Sequence, residues 1–434
     1  MVEKRKAENS SKNLFWFSLD NAAKIFPAIR SKEHTTVLRC TAVLRERISV
    51  RPLLDAVSMA GTRFPYFRVS LHHGIFWYYL EESKKAFSLI PDTGRPCRAF
   101  GNKSNDNAHL IRILVRKNTL SVEASHILTD GYGASQFLLW ILEKYVLLKE
   151  SKNSGSSDWK PDAELLRIET EDAYSNYFKN NIPFAARLSK AFHVPYKLGK
   201  KPRFDVLLAI LNLKEVKEKA AEKGISITEY LTAVNLFALQ QIAATRKIRR
   251  KKVIRIQVPI NLRNIYPSKS MRNFSLFVMP EIDTRLGDYS FDEIIKIVHH
   301  KMQLETDEKL ISKIISRNVG SEKKLLIRGI PLVVKNLVLR YKYYTEGANQ
   351  YSGVITNLGK IDVTEHLQNR IDCFVLTPPP PNKKLKVNCG VAGYRNKLVL
   401  SFGNITRSKE LERRFLSFLS QEGLQVKVKK AFDL

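Results

Sequence analysis

The run Ser125-His126-Ile127-Leu128-Thr129-Asp130-Gly131 separates two stretches of different hydrophobic period, and that change governs how the chain around it folds. Before it, residues 109–115 and 120–124 are rich in β-branched and aliphatic residues and flank Lys117-Asn118, the pattern of a hairpin. After it, Phe137, Leu138, Ile141, Leu142 and Tyr145 fall on one helical face. His126 thus stands where a strand hands over to a helix. An imidazole with a pKa of about 6.5 is partly neutral at neutral pH and can take a proton from a hydroxyl as that hydroxyl attacks a carbonyl. Help of that kind is worth about 10²- to 10⁴-fold in rate. Gly131 is expected to adopt a backbone conformation closed to other residues and to let a ligand approach closely. Spacing alone does not put Asp130 against the imidazole, because the chain turns between them.

Outward from this run, residues 36–44 and 67–79 read as strands, with a helix at 50–62 between them. Residues 151–158 have the Ser, Gly and Asn content of a loop, and Pro183 and Pro195 interrupt a weakly periodic stretch. The division expected is a first lobe at 1–180, a connecting segment at 181–203 and a second lobe at 204–434. The second half is expected to open with helices. Ser226 with Glu229 and Ser290 with Glu293 are candidate capping boxes, and residues 253–259 and 274–282 read as strands. Further strands are expected at 353–356, 372–376, 387–392 and 398–402, with a last helix at 409–420. Both halves mix helices with strands, which predicts an α/β (α+β) class with layered sheets.

With 434 residues, 44% hydrophobic and 26% charged, the chain can bury a sizeable core and is not of disordered composition. Lys and Arg number 73 against 42 acidic residues, a net charge of +31 that predicts attraction to anions: nucleic acid, anionic lipid, an acidic protein or a phosphorylated cofactor. The densest basic cluster is 246–252, with others at 197–203 and 383–386, yet no nucleic-acid-binding module is recognisable and no nucleic-acid partner is expected. Cys40, Cys97, Cys373 and Cys389 are far apart, which points to a reducing cytoplasm and not to a zinc site or disulfide framework. Adjacent histidines at His72-His73 and His299-His300 point apart on a strand or helix, so no metal is expected. Residues 1–12 are polar, the apolar run after them is too short for a signal peptide, and no stretch reaches the roughly 20 apolar residues of a membrane span. Peripheral membrane contact stays open. Residues 378–381, four prolines, read as a rigid connection between strands.

The run from His126 to Gly131 resembles the His-x-x-x-Asp-Gly motif of the coenzyme A-dependent acyltransferase superfamily, which has the chloramphenicol acetyltransferase-like fold and includes condensation domains and alcohol acetyltransferases. Other pieces resemble the family in its own order. They are Pro259-Ile260-Asn261-Leu262-Arg263, then Met271-Arg272-Asn273-Phe274, Asn357-Leu358-Gly359 and Ser401-Phe402-Gly403. Leu19-Asp20-Asn21-Ala22-Ala23-Lys24 and Phe64-Pro65-Tyr66-Phe67-Arg68 look most like the bacterial alcohol acetyltransferase-like branch.

The resemblance implies two similar lobes with a channel between them, His126 as general base, Asp130 as a structural anion paired with Arg263, and Gly131 keeping the channel open. It implies Asn357 as a substrate-orienting or oxyanion group. It also implies acyl-coenzyme A, or an acyl group on a carrier protein's phosphopantetheine arm, as donor and co-substrate, a hydroxyl or amine acceptor, no permanently bound cofactor, and a monomer. Two positions depart from the family pattern. Ser125 replaces the first of the two histidines found in many condensation domains, which favours an O-acyltransferase over peptide-bond formation, and Ser401 replaces an aspartate. Two other readings stand beside this one: condensation-type ester or amide formation on carrier-bound substrates, and a non-catalytic basic binding protein on the same scaffold.

Overall fold

The computed structural model describes residues 15–100, 109–150, 162–179, 188–245, 252–323 and 325–431. The polar stretch 1–12, the loop at 151–158 and all but the last residue of the basic cluster at 246–252 lie outside the described residues. So does part of the 181–203 segment.

In chain order the first half runs β1 (Trp16–Ser18), α1 (Phe26–Ile29), β2 (Val37–Leu44), α2 (Val50–Arg63), β3 (Val69–His73), β4 (Tyr78–Glu82), β5 (Leu89–Pro91), β6 (Ile111–Arg116), β7 (Thr119–Ser125), α3 (Gly131–Glu150), α4 (Ala163–Thr170) and α5 (Ala173–Asn176). The second half begins with β8 (Asp205–Asn212), α6 (Leu213–Glu222), α7 (Ile227–Thr245), β9 (Val253–Asn261), β10 (Ser275–Val278), β11 (Glu281–Asp283), α8 (Phe291–Glu305), α9 (Glu308–Lys323), α10 (Leu325–Arg328) and α11 (Leu332–Lys342). It closes with β12 (Gly353–Lys360), α12 (Glu365–Gln368), β13 (Ile371–Thr377), β14 (Val387–Tyr394), β15 (Lys397–Asn404), α13 (Glu410–Gln421) and β16 (Lys427–Lys430).

One sheet has the order β13-β2-β7-β6-β5, a second runs β10-β9-β12-β14-β15-β8-β16 with β11 also paired to β9, and a small third is β1-β4-β3. The first two are mixed sheets flanked by helices, with the parallel pair β5–β6 in one and β12 parallel to β9 and β14 in the other, and the third is antiparallel. β2 is buried along its whole length, because α2 and α3 cover one face of its sheet with a core that includes Leu53, Val57, Phe137, Leu138 and Ile141. Arg39 on β2 is tolerated there because Glu123 and Asp92 neutralise it at 2.8 and 2.7 Å. The second core packs α7, α8 and α13 against β9, β12, β14 and β15 through Leu231, Val234, Ile254, Ile355, Leu400 and Phe415.

The two main sheets are joined by chain as well as by packing. β13 belongs by position to the second half, yet it pairs antiparallel with β2, from Thr377 opposite Arg39 to Ile371 opposite Leu44. No single cut in sequence therefore separates the lobes. Val43, Val206, Leu208, Cys373, Val375 and Val399 form the apolar seam between the sheets. A cavity of about 40 Å³ beside that seam is lined by Arg39, Asp92, Arg116 and Leu208 and does not include His126.

Several local expectations change form. The single strand expected at 67–79 is the β3–β4 hairpin, reversed at Gly74, whose amide donates to the Trp77 carbonyl at 2.8 Å. Residues 274–282 divide into β10 and β11, and the second half opens on the strand β8. Both capping boxes form: Ser226 and Glu229 exchange bonds of 2.7 and 3.3 Å, as do Ser290 and Glu293. Among the described residues no helix is long and apolar enough to cross a membrane.

Candidate active site

β7 ends at Ser125, and the His126 amide makes one further bond, to the Thr36 carbonyl at 2.9 Å. Thr36 has a positive φ of 57°, an unfavourable conformation for a β-branched residue that is held by the surrounding structure. Leu128 and Thr129 then turn back onto the Ser125 carbonyl. Buried Ile127 and Leu128 anchor the turn in the first core, while His126 at its start keeps partial exposure.

Asp130 caps α3. Its Oδ1 accepts from the Gly133 amide at 3.0 Å, and its Oδ2 accepts from the Phe274 amide at 2.9 Å and from Arg263 Nη1 at 2.8 Å. Arg263 comes from the 3-10 turn after β9 and spreads its fork widely, donating to Ser270 O, Arg272 O and Asn261 Oδ1 as well as to Asp130. Tyr132 lies against the guanidinium at 4.4 Å. Both charged side chains are over 90% buried, so the hydrogen bonds and the pairing itself must offset the hydration each has lost. One pair thereby ties the first turn of α3 to the segment that follows β9.

The positive-φ expectation at Gly131 is not met: the residue has ordinary helical backbone as the first residue of α3. What limits it is space, since a Cβ there would meet Leu358 Cδ2 at 3.0 Å. Gly133 is the tighter position, with a Cβ falling 2.1 Å from Thr129 Oγ1 and 2.3 Å from the Met271 carbonyl.

Asn273 reaches His126 from the same post-β9 segment. Its Nδ2 donates to the His126 carbonyl and to Asp20 Oδ2, both at 2.9 Å. Both partners accept at those contacts, so the amide end of Asn273 faces them and its Oδ1 is the atom that lies 3.3 Å from His126 Nδ1. That assignment puts the ring proton on Nδ1 and leaves the Nε2 lone pair as the basic site. Phe26 of α1 stacks on the imidazole at 5.2 Å and 24°. Burial holds the His126 pKa below the ordinary histidine value, with the Asn273 bond, the Asp130 charge and the Thr129 carbonyl opposing it. Asp20 is fully buried, and its pKa is pushed up to about 6 by burial, against the pull of Arg272 at 3.6 Å.

Asn357 stands elsewhere. Its Nδ2 donates to Thr228 Oγ1 at 2.9 Å and its Oδ1 accepts from the Gly359 amide at 2.8 Å, clamping the end of β12 to the start of α7. Among the described residues no hydrogen bond joins it to His126, Asp130 or Arg263, although the neighbouring Leu358 reaches Gly131. Ser125 Oγ accepts from the Ile127 amide at 3.2 Å and helps form the turn. Ser401 is fully buried and donates to the Leu376 carbonyl, next to Gly390, where any side chain would strike that same carbonyl. Asp20, Asn273 and Phe26 carry no role in the sequence reading. The available signal was a lone carboxylate inside the apolar run Phe17-Ser18-Leu19-Asp20.

No protein-family model matches the chain, and no curated protein sequence matches it. Solved structures do. The chain is similar to F. graminearum TRI101 in complex with coenzyme A and deoxynivalenol, at 10% identity, over 95% of this chain and 99% of that one, with a TM-score of 0.65. It is similar to the first condensation domain of the calcium-dependent antibiotic synthetase in complex with a substrate analogue, at 13% identity, over 94% and 96%, with a TM-score of 0.60. It is also similar to polyketide synthase associated protein 5 from Mycobacterium tuberculosis, at 13% identity, over 93% and 96%, with a TM-score of 0.58. At such identities the likeness is one of fold.

Proposed function

We propose, from a fold shared with the coenzyme A-dependent acyltransferase and condensation-domain superfamily, that this chain transfers an acyl group from a thioester to a hydroxyl. The donor is an acyl-coenzyme A or an acyl-phosphopantetheine arm. One observation supports the reading: His126 is partly exposed at a strand-to-helix turn, with Nδ1 3.3 Å from Asn273 Oδ1, an arrangement that suits Nε2 to act as the base. In the step proposed, Nε2 takes the acceptor's proton as its oxygen bonds to the thioester carbonyl carbon. The carbon–sulfur bond then breaks, and the imidazolium returns the proton to the departing thiolate. No covalent enzyme intermediate is required. Asp130 and Arg263 serve by fixing the turn that aims the ring, not by touching substrate. Asn357, whose carboxamide is engaged by Thr228 and the Gly359 amide, would have to release Thr228 to act as the oxyanion donor.

Purified protein incubated with acetyl-coenzyme A, or with an acyl carrier protein loaded with the same group, and a panel of alcohols tests this through thiol release and ester formation. His126→Ala is expected to lose about 10²- to 10⁴-fold. Equal donor consumption by this variant and its parent would remove His126 as the base.

A further inference from the structure

α11 is built inside out. Along Leu332–Lys342 the inward residues include a lysine, and most of the outward ones are apolar: Val333, Val334, Leu337, Val338 and Tyr341 are between 47% and 73% exposed, while Lys335 is 7% exposed. Lys335 is well accommodated, donating to the carbonyls of Phe76 and Arg328 at 3.0 and 3.1 Å and lying 3.5 Å over the Trp77 ring. An ordinary surface helix has the opposite polarity. The arrangement extends beyond the helix, because the Leu332 amide donates to the Ile75 carbonyl at 2.8 Å and Asn336 donates to the Tyr78 hydroxyl at 2.9 Å. Ile75 and Phe76, at the tip of the β3–β4 hairpin, are 75% and 42% exposed and continue the patch. The whole is on the order of several hundred Å² of contiguous apolar surface, the size that marks an interaction site.

Charge indicates what covers it. Residues 325–345 contain Arg328, Lys335, Arg340 and Lys342 and no carboxylate, in a chain whose net charge is +31. Arg328, Arg340 and Lys342 are exposed. An aliphatic face with a tyrosine and a cationic rim matches the boundary of an anionic bilayer, where apolar side chains enter the acyl region and cations meet headgroup phosphates. We propose that α11 and the β3–β4 tip form a docking face for an anionic lipid bilayer, with Val333, Leu337, Val338, Ile75 and Phe76 inserting and Arg340 and Lys342 contacting headgroups. The face adjoins the site described above, since α11 packs on α1, the element that carries Phe26 onto His126. The docking itself does not depend on the chemistry assigned to His126.

Co-sedimentation of the full chain with vesicles tests this. The vesicles are phosphatidylcholine and phosphatidylglycerol in equal parts, or phosphatidylcholine alone. The parent is expected to sediment with the mixed vesicles and much less with the neutral ones. Val333→Ser/Leu337→Ser keeps the charge and replaces only exposed side chains, and it should bind at least about tenfold more weakly. Arg340→Gln/Lys342→Gln should lose about fivefold per cation at low salt, against a smaller loss for Lys214→Gln/Lys217→Gln on α6, which makes the same change in net charge. A serine variant that sediments like the parent would assign the attraction to diffuse charge and overturn the proposal. So would a parent indifferent to mixed vesicles, including one that instead elutes as a dimer through this face.

Discussion

Asn273 holds His126 at two points, with its Oδ1 against the ring at Nδ1 and its Nδ2 donating to the same residue's backbone carbonyl. A side chain 147 positions away thus sets both which nitrogen carries the proton and how the ring is aimed. Replacing it by alanine leaves the imidazole in place but free to rotate and change tautomer. Asn273→Ala is expected to lower kcat by about 10- to 100-fold with little change in KM, a loss bounded by the whole value of a general base. Steady-state kinetics check it, and a change confined to KM would assign Asn273 to substrate binding.

The pH profile distinguishes aiming from mere packing. Burial depresses the His126 pKa, so the neutral imidazole persists to lower pH than in an ordinary histidine. kcat/KM should therefore stay level through the usual histidine range and fall only below it. The Asn273 bond favours the protonated ring. Its loss should move that acid limb to still lower pH while reducing the plateau. An acid limb that rises in Asn273→Ala would contradict the bond as drawn.

Removing Arg263 should damage the fold before the chemistry. Arg263→Leu leaves Asp130 buried with two backbone amides and no counter-charge, and breaking such a pair costs about 3–5 kcal/mol. Lysine cannot span Asp130, Asn261 and two carbonyls at once, so Arg263→Lys should recover little of that loss. Urea unfolding followed by circular dichroism gives the comparison.

Gly133→Ala should be worse than Gly131→Ala. The first collides with Thr129 Oγ1 and the Met271 carbonyl, which is backbone and cannot step aside, and an overpacked position costs about 1–3 kcal/mol or more. The second meets only the tip of Leu358. Thermal melts of the two variants decide the order, and a milder Gly133→Ala would mean that α3 shifts to make room.

What the sequence discloses here follows the reach of each interaction. Capping boxes at Ser226 and Ser290 are readable because each pair is three residues apart, and the β6–β7 hairpin is readable because its turn lies between its strands. Asp20 and Asn273 meet across 253 positions, and no local period registers such a contact. Only resemblance, not spacing, links Asp130 with Arg263 on paper. β8 is missed because an apolar run such as Val206 to Leu211 suits a short strand or a buried helix equally well. α11 goes unread for another reason: apolar residues stand on both sides of Lys335, and spacing cannot say that Lys335 and not Leu337 faces inward.

The course of β13 also bears on how the protein is made. A ribosome finishes β2, β6 and β7 long before it reaches residues 371–377, so throughout that interval β2 presents a bare row of amides and carbonyls to the cell. The nascent first lobe cannot close on its own, and separately expressed halves should leave β2 and β13 each wanting its partner. Synthesis from the amino terminus, which lets many proteins finish one unit before starting the next, here leaves the first sheet incomplete until most of the second has emerged.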